Sequence, residues 1–273
     1  MLKHRIITAL IMAILFVGVL FLPAIQMVLI FSLVVVVAAW EWAQLAAFAG
    51  LQKIVYAAVV GLLLVAMGAL VSFEAENTQW LAQTLGSATT LWAILLCWVI
   101  TYPASAAVWG SKWARSLLGL IILSAVWLAM AFLSFSEQGP LLILYIIAVV
   151  AFTDIGAYFS GLTFGKHKFA PAVSPKKTWE GFFGGVVAAG LMSYLVATYY
   201  GLLNMSVAQA VALSVVCAAA SALGDLAVSM LKRQAGVKDS SNLLPGHGGF
   251  LDRIDGILAA MPMFAFGLLM VAK

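Results

Sequence analysis

The chain has 273 residues, 65% of them hydrophobic and 9% charged, with a mean hydropathy of +1.12. Soluble domains carry about 25% charged residues, so water cannot cover this much apolar surface; a water-soluble enzyme is excluded and an integral membrane protein is expected. The formal net charge of +4 is small, its distribution matters more than its total, and no nucleic-acid partner is expected.

Taken in chain order, the first apolar segment covers about residues 6–22 and follows Lys3, His4 and Arg5, as in a signal peptide. No small-residue cleavage pattern follows it. Pro23 leads directly into a second apolar run, so the segment reads as a retained signal anchor. A helix needs about 20 mostly apolar residues to cross the hydrocarbon. On that measure further spans are predicted at about 24–46, 54–73, 88–102, 116–135, 140–160, 181–200, 205–228 and 252–272, nine with the first. The fold class is therefore an all-α integral membrane protein of about nine transmembrane helices. The fourth segment is the shortest. Pro23, Pro103 and Pro140 fall at segment ends, where a missing N–H costs least. Cys97 and Cys217 sit inside apolar runs and read as buried small hydrophobes.

An N-terminus in the cytoplasm and a C-terminus outside give a one-sided charge pattern. Thirteen of the fourteen Lys and Arg then fall inside: Lys3, Arg5, Lys53, Lys112, Arg115, Lys166, Lys168, Lys176, Lys177, Lys232, Arg233, Lys238 and Arg253. Lys273 alone falls outside, with Glu74, Glu76 and Glu137. This is the bias expected of short cytoplasmic loops. Residues 1–140 read as a scaffold of helices with dimer contacts. The chemistry lies in 141–273, with long cytoplasmic loops at 161–180 and 229–251. No internal repeat of the kind seen in transporters is present.

Four carboxylates stand in or beside apolar helices: Asp154, Asp225, Asp252 and Asp255. An ionised carboxylate at the bilayer centre costs roughly 2.5–3.5 kcal/mol on insertion scales, so such residues have partners. Asp225, Ser229 and Lys232 share a helix face. Asp252 and Asp255 are i, i+3 neighbours that repel unless a cation lies between them; hard oxygen ligands suit Mg²⁺. The competing reading is a solvated helix start with acidic residues in its first turn. Lys232, Arg233 and Lys238 alone are ordinary membrane-surface anchors, but "PGHGG" alters the weighing. Gly246, Gly248 and Gly249 let N–H groups approach a bulky anion, His247 lies among them, and the loop runs into a helix N-terminus. Together these features suggest a metal–polyphosphate site without a Walker motif. In "SPKKTWEG", Ser174 and Pro175 read as N-cap and first residue of a helix, with Lys176 and Lys177 in its first turn awaiting an anion or lying on the membrane surface. Asp154 lies in the sixth helix with Tyr158 at i+4, either as a metal ligand or as an interhelical hydrogen-bond partner. Glu41, between Trp40 and Trp42, reads as an interfacial belt position.

Residues 229–255, "SMLKRQAGVKDSSNLLPGHGGFLDRID", resemble the pattern of the phosphatidate cytidylyltransferases, the CDP-diacylglycerol synthases. Its fixed positions correspond to Ser229, Lys232, Arg233, Lys238, Asp239, Pro245, His247, Gly248, Gly249, Asp252, Arg253 and Asp255. "TDIGAYF" and "SPKKTWEG" also resemble family segments, and Asp225 sits where the family has an intramembrane Gly-Asp. The resemblance covers about residues 150–273. It implies that CTP and phosphatidic acid give CDP-diacylglycerol and pyrophosphate with Mg²⁺, with room for a second metal ion. It also implies a homodimer among membrane lipids in a bacterial cytoplasmic (inner) membrane, with the site on the cytoplasmic side. On that footing Asp225, Asp252, Asp255 and Asp154 hold metal. Lys232, Arg233, Lys238, Asp239, His247 and Arg253 serve catalysis, with His247 orienting a phosphate. Ser174, Lys176, Lys177, Ser229, Gly248 and Gly249 bind substrate. Asp252→Asn is then expected to abolish turnover in a protein that still folds and inserts. Two alternatives are a CTP-dependent polyprenol or lipid kinase and an ion-coupled transporter. The Asp-Gly-x-x-Ala-Arg motif of CDP-alcohol phosphotransferases is absent.

Overall fold

The computed structural model describes residues 2–70, 78–201, 205–244 and 248–271. Glu74, Glu76, Pro245, Gly246, His247 and Lys273 lie outside the described residues. The helices are α1 (Leu2–Leu20), α2 (Ala24–Leu45), α3 (Leu51–Leu70), α4 (Thr78–Ile100), the single turn α5 (Ala106–Trp109), α6 (Lys112–Phe135) and α7 (Gly139–Phe164). A hairpin of β1 (Lys168–Ala170) and β2 (Ser174–Thr178) follows, then α8 (Trp179–Tyr200), α9 (Val207–Gln234) and α10 (Leu251–Val271). Among the described residues eight helices, α2 to α4 and α6 to α10, are long and apolar enough to cross a membrane. The first expected span forms as the 19-residue helix α1, which includes the shorter apolar stretch Ile11–Leu20.

Two expectations need correction. The fourth span starts some ten residues earlier than predicted, at Thr78. Its first half is rich in hydroxyls, which hide it from a hydropathy reading. Thr84, Ser87, Thr89 and Thr90 donate to helix carbonyls three or four residues back, at 2.7–3.1 Å, so the polar groups are satisfied within the helix. The all-α class holds, and the second correction is confined to one short hairpin. Ser174 and Pro175 do not start a helix; they open β2, which pairs antiparallel with β1 through Lys168↔Thr178 and Ala170↔Ser174. A residue before proline is driven toward extended backbone. The helix waits until Thr178, whose side chain accepts from the Gly181 N–H at 3.2 Å.

Cys217 is buried as expected, whereas Cys97 is exposed on the bundle's outer face. The core runs through the whole chain. α10 packs against α4 and α6 as well as α9, so residues 1–140 and 141–273 share one interior. The polar ends of α2, α3 and α6 meet at one end of the bundle. There the Trp42 indole and the Arg115 guanidinium exchange bonds across α2 and α6, to Arg115 O at 2.9 Å and Leu45 O at 2.6 Å.

α7 and α8 approach closely because small residues line their seam. A Cβ on Gly156 would stand 2.5 Å from Ala188 Cβ and 2.7 Å from the Gly184 carbonyl. Backbone cannot give way as a flexible side chain can, so Gly156→Ala is expected to push the helices apart at a cost of about 1–3 kcal/mol. A lowered thermal midpoint in detergent, measured on the purified variant, checks this.

Candidate active site

The hairpin places its lysines at the end of the bundle where α7 and α9 finish and α8 and α10 begin. Successive strand residues face opposite ways. Lys176 is exposed, while Lys177 is half-buried and its ammonium lies 2.5 Å from Asp225 Oδ2. The dipole conflict expected of lysines in a helical first turn therefore does not arise; extended backbone delivers Lys177 to an acid on another helix. Lys176, Lys177, Asp154, Asp225, Tyr158 and Phe182 line a cavity of about 520 Å³ between α7, α8, α9 and the hairpin. One wall is charged. The other is aromatic, and it continues into the ring cluster of Phe169, Trp179, Phe182 and Phe183.

Asp225 is the hub of the acidic groups. It interacts electrostatically with both Asp154 of α7 and Asp255 of α10, and Lys177 acts on all three carboxylates. Ser229, one turn on, donates to Asp225 Oδ1 at 3.2 Å and fixes its orientation. Asp255 also accepts from the Gly256 N–H at 2.8 Å. Gly224 and Asp255 show how close α9 and α10 come: a Cβ on Gly224 would stand 2.4 Å from the Asp255 carbonyl oxygen.

Asp252 belongs to a different network. Its carboxylate accepts from Lys232 Nζ at 2.8 Å, the Ser240 N–H at 2.9 Å and the Gly249 N–H at 3.1 Å. Only 11% of the Lys232 side chain and 6% of the Asp252 side chain are exposed, so this is a buried ion pair. Of the four aspartates expected to hold metal, Asp252 is paired here with a lysine and with the loop. Among the described residues no group of three or more His, Cys, Asp or Glu side chains is arranged to hold a metal ion. Asp225 and Asp255, with Asp154 beside them, remain. Mg²⁺ keeps several waters and is often bound through one or two carboxylates plus substrate phosphates. Asp255 interacts electrostatically with Asp225, Lys232 and Lys177, and the carboxylates of Asp225 and Asp255 are hard oxygen donors of the kind that fit a divalent cation completed by substrate phosphates and water.

Of the glycine loop, Gly246 and His247 lie outside the described residues, and the backbone donors that follow them are engaged by the protein's own carboxylates. The Gly249 N–H is taken by Asp252, and the Phe250 and Leu251 N–H groups donate to Glu41 of α2 at 2.8 and 2.5 Å. The anion at the start of α10 is the protein's own. Glu41 is fully buried, not an interfacial belt residue. The flanking tryptophans concealed it, for nothing local in "AWEWA" announces a partner some 200 residues away.

The remaining predicted residues divide by position. Arg233 Nε donates to the Val173 carbonyl at 3.1 Å and ties the end of α9 to the hairpin turn. Ser174 pairs within the hairpin and stays out of the cavity lining. Lys238, Asp239 and Arg253 are exposed around the loop, and Gly248 lies against Asp239.

The model of the cytidylyltransferase family matches residues 3–271. The chain is 43% identical over 270 residues to a phosphatidate cytidylyltransferase of Pseudomonas aeruginosa, covering 97% of this chain and 96% of that protein. It is 37% identical over 288 residues to one from Haemophilus influenzae, covering 97% and 98%. A phosphatidate cytidylyltransferase of Staphylococcus epidermidis is 39% identical over 145 residues, about half of each chain. With its spans, its paired carboxylates and its lysine-bearing hairpin inside one full-length match, the chain belongs to the cytidylyltransferase family.

Proposed function

We propose that this protein is a membrane-embedded phosphatidate cytidylyltransferase that converts CTP and phosphatidic acid to CDP-diacylglycerol and pyrophosphate. The observation that carries this reading is the cavity of about 520 Å³, in which Lys176, Lys177, Asp154 and Asp225 face an aromatic wall at one end of a membrane-spanning bundle. A substrate that is charged at one end and apolar at the other suits such a boundary, and the full-length relatives carry the name of this activity.

In this reading a phosphate oxygen of phosphatidic acid attacks the α-phosphorus of CTP. The new P–O bond forms as the bond from the α-phosphorus to the bridging oxygen breaks, and pyrophosphate leaves with that electron pair. A phosphomonoester has its second pKa near about 6, so the nucleophile is already ionised and needs no strong base. Catalysis is then positioning and charge neutralisation. Lys177 and Lys176 bind the lipid phosphate, while Tyr158 and Phe182 accommodate the glycerol and the upper acyl chains. Lys238 and Arg253 neutralise the triphosphate, and His247 hydrogen-bonds a phosphate. Asp225 and Asp255 hold Mg²⁺, with Ser229 orienting Asp225. Bound there, Mg²⁺ supplies positive charge to the phosphates. Asp154 holds Lys177 electrostatically at the cavity wall. The clustering of Lys and Arg at this end of the bundle supports a site on the cytoplasmic side of a bacterial inner membrane. The same reading includes a homodimer formed through the first helices.

The test uses the purified protein in detergent with labelled CTP, phosphatidic acid and Mg²⁺. CDP-diacylglycerol with stoichiometric pyrophosphate supports the proposal. CDP release would show a kinase instead, and ion flux in vesicles without nucleotide turnover would show a transporter.

A further inference from the structure

Among the described residues the acid with the least exposed surface is not one of the aspartates of the proposed reaction. Glu41, on α2, has no exposed surface. Its carboxylate accepts four hydrogen bonds, all from residues 199 to 210 positions later: Ser240 Oγ at 3.0 Å, Ser241 Oγ at 2.5 Å, the Phe250 N–H at 2.8 Å and the Leu251 N–H at 2.5 Å. A buried carboxylate is costly unless it is fully hydrogen-bonded. Here that requirement is met by the two ends of a single loop. The hydroxyls hold the strand leaving Lys238 and Asp239. The N–H groups belong to the first turn of α10, where backbone donors lack helical partners and the dipole favours an anion.

Glu41 therefore clamps both stems of the segment 238–251 onto α2. The clamp also reaches the buried ion pair, because Ser240 Oγ lies 3.0 Å from Glu41 Oε2 and 3.2 Å from Asp252 Oδ2, and Asp252 bonds Lys232. The fit leaves no slack: a Cβ on Gly249 would stand 1.8 Å from Ser240 Oγ and 3.0 Å from Glu41 Oε2. On the far side Glu41 is backed by α2 itself, whose Trp42 is locked to α6. Lys53, in electrostatic range, is held by Gln44 Oε1 at 2.9 Å and lies 3.8 Å over the Trp40 ring.

We infer that Glu41 is a positioning residue for the nucleotide half of the reaction: through Ser240, Ser241 and the start of α10 it sets where Lys238 and Arg253 stand. It touches no reacting atom. The inference rests on the assignment of those cations to CTP, made above. It gives the first half of the chain a task beyond scaffolding.

Glu41→Gln keeps the shape but leaves one neutral acceptor oxygen and sets an NH2 donor against one of the two backbone N–H groups. The expected result is a rise in KM for CTP of roughly 10- to 100-fold, the scale of lost charge-assisted hydrogen bonds. KM for phosphatidic acid is expected to change little, while the thermal midpoint falls as buried donors lose their carboxylate. Glu41→Asp, which retains the charge, recovers part of the CTP affinity. Ser241→Ala removes one bond from the loop side without touching α2 and gives a smaller shift of the same kind; combined with Glu41→Gln the effects are less than additive. A second readout needs no turnover: trypsin is expected to cut after Lys238 faster in Glu41→Gln than in the parent protein. Equal changes in both KM values, or activity falling only in step with the folded fraction, would overturn the inference, as would an unchanged cleavage rate. Absence of CTP consumption by the parent protein would instead overturn the proposed function, and the cleavage rates would still report on the clamp.

Discussion

Asp225→Asn is expected to lower kcat by at least ~10²–10³-fold, the range seen when one preorganised charge-stabilising group is removed, in a protein that still inserts and purifies normally. Asp225 is the carboxylate on which the others converge, by its electrostatic interactions with Asp154 and Asp255, by the ion pair with Lys177 at 2.5 Å and by the Ser229 hydroxyl at 3.2 Å. Asparagine fills the same volume but cannot neutralise Lys177 or share a divalent cation with Asp255. Steady-state turnover over a Mg²⁺ titration checks it. The expected signature is a kcat that saturating Mg²⁺ does not restore; parent-level turnover would remove Asp225 from the site.

The second large effect concerns stability, and it reverses an expectation. Asp252→Asn reads from the sequence as a change that abolishes turnover while leaving the fold intact. The structure instead makes Asp252 half of a buried ion pair with Lys232 that also fastens the Ser240 and Gly249 N–H groups. Removing one member of such a pair strands the other charge and costs about 3–5 kcal/mol. Asp252→Asn and Lys232→Met are therefore each expected to lower the thermal midpoint strongly, with activity lost alongside it. The double variant Asp252→Asn/Lys232→Met is expected to be destabilised by less than the sum of the two, since no charge is left uncompensated. Differential scanning in detergent on the four proteins decides it. If Asp252→Asn keeps the parent midpoint but loses all turnover, Asp252 acts on substrate or metal instead.

The contrast between Asp225 and Asp252 marks where sequence reasoning stops. Both are acids next to apolar runs, and both fall at matched family positions. Local pattern assigns them the same task. They separate in their partners: Asp225 meets Lys177 of the hairpin and Ser229, while Asp252 meets Lys232 and the loop. Side-chain direction on a helix follows spacing, but what waits in that direction is a property of the neighbouring helix. The hairpin illustrates the same limit. "SPKKT" carries a legitimate helix-start signal in Ser-Pro, and the true cap, Thr178, lies four residues on; pairing with Lys168–Ala170 supplies the hydrogen bonds that favour strand over helix.

By itself the sequence determined that the chain lives in a membrane, since 65% hydrophobic residues and 9% charged ones permit little else, and it determined most of the span positions, because a hydrocarbon core of fixed thickness demands apolar runs of matching length. It also marked the chemical segment 229–255, where charges are dense enough to need a reason. Tertiary structure alone decided which charges meet. It brought Lys177 to Asp225 through a strand, paired Asp252 with Lys232, and set Glu41 of α2 against Ser240, Ser241 and the first turn of α10. The physical reason is range. Hydropathy and periodicity are local and survive in the linear order, whereas a buried charge is stabilised by whichever donors the packed helices bring within about 3 Å, and those donors lie up to 210 residues away.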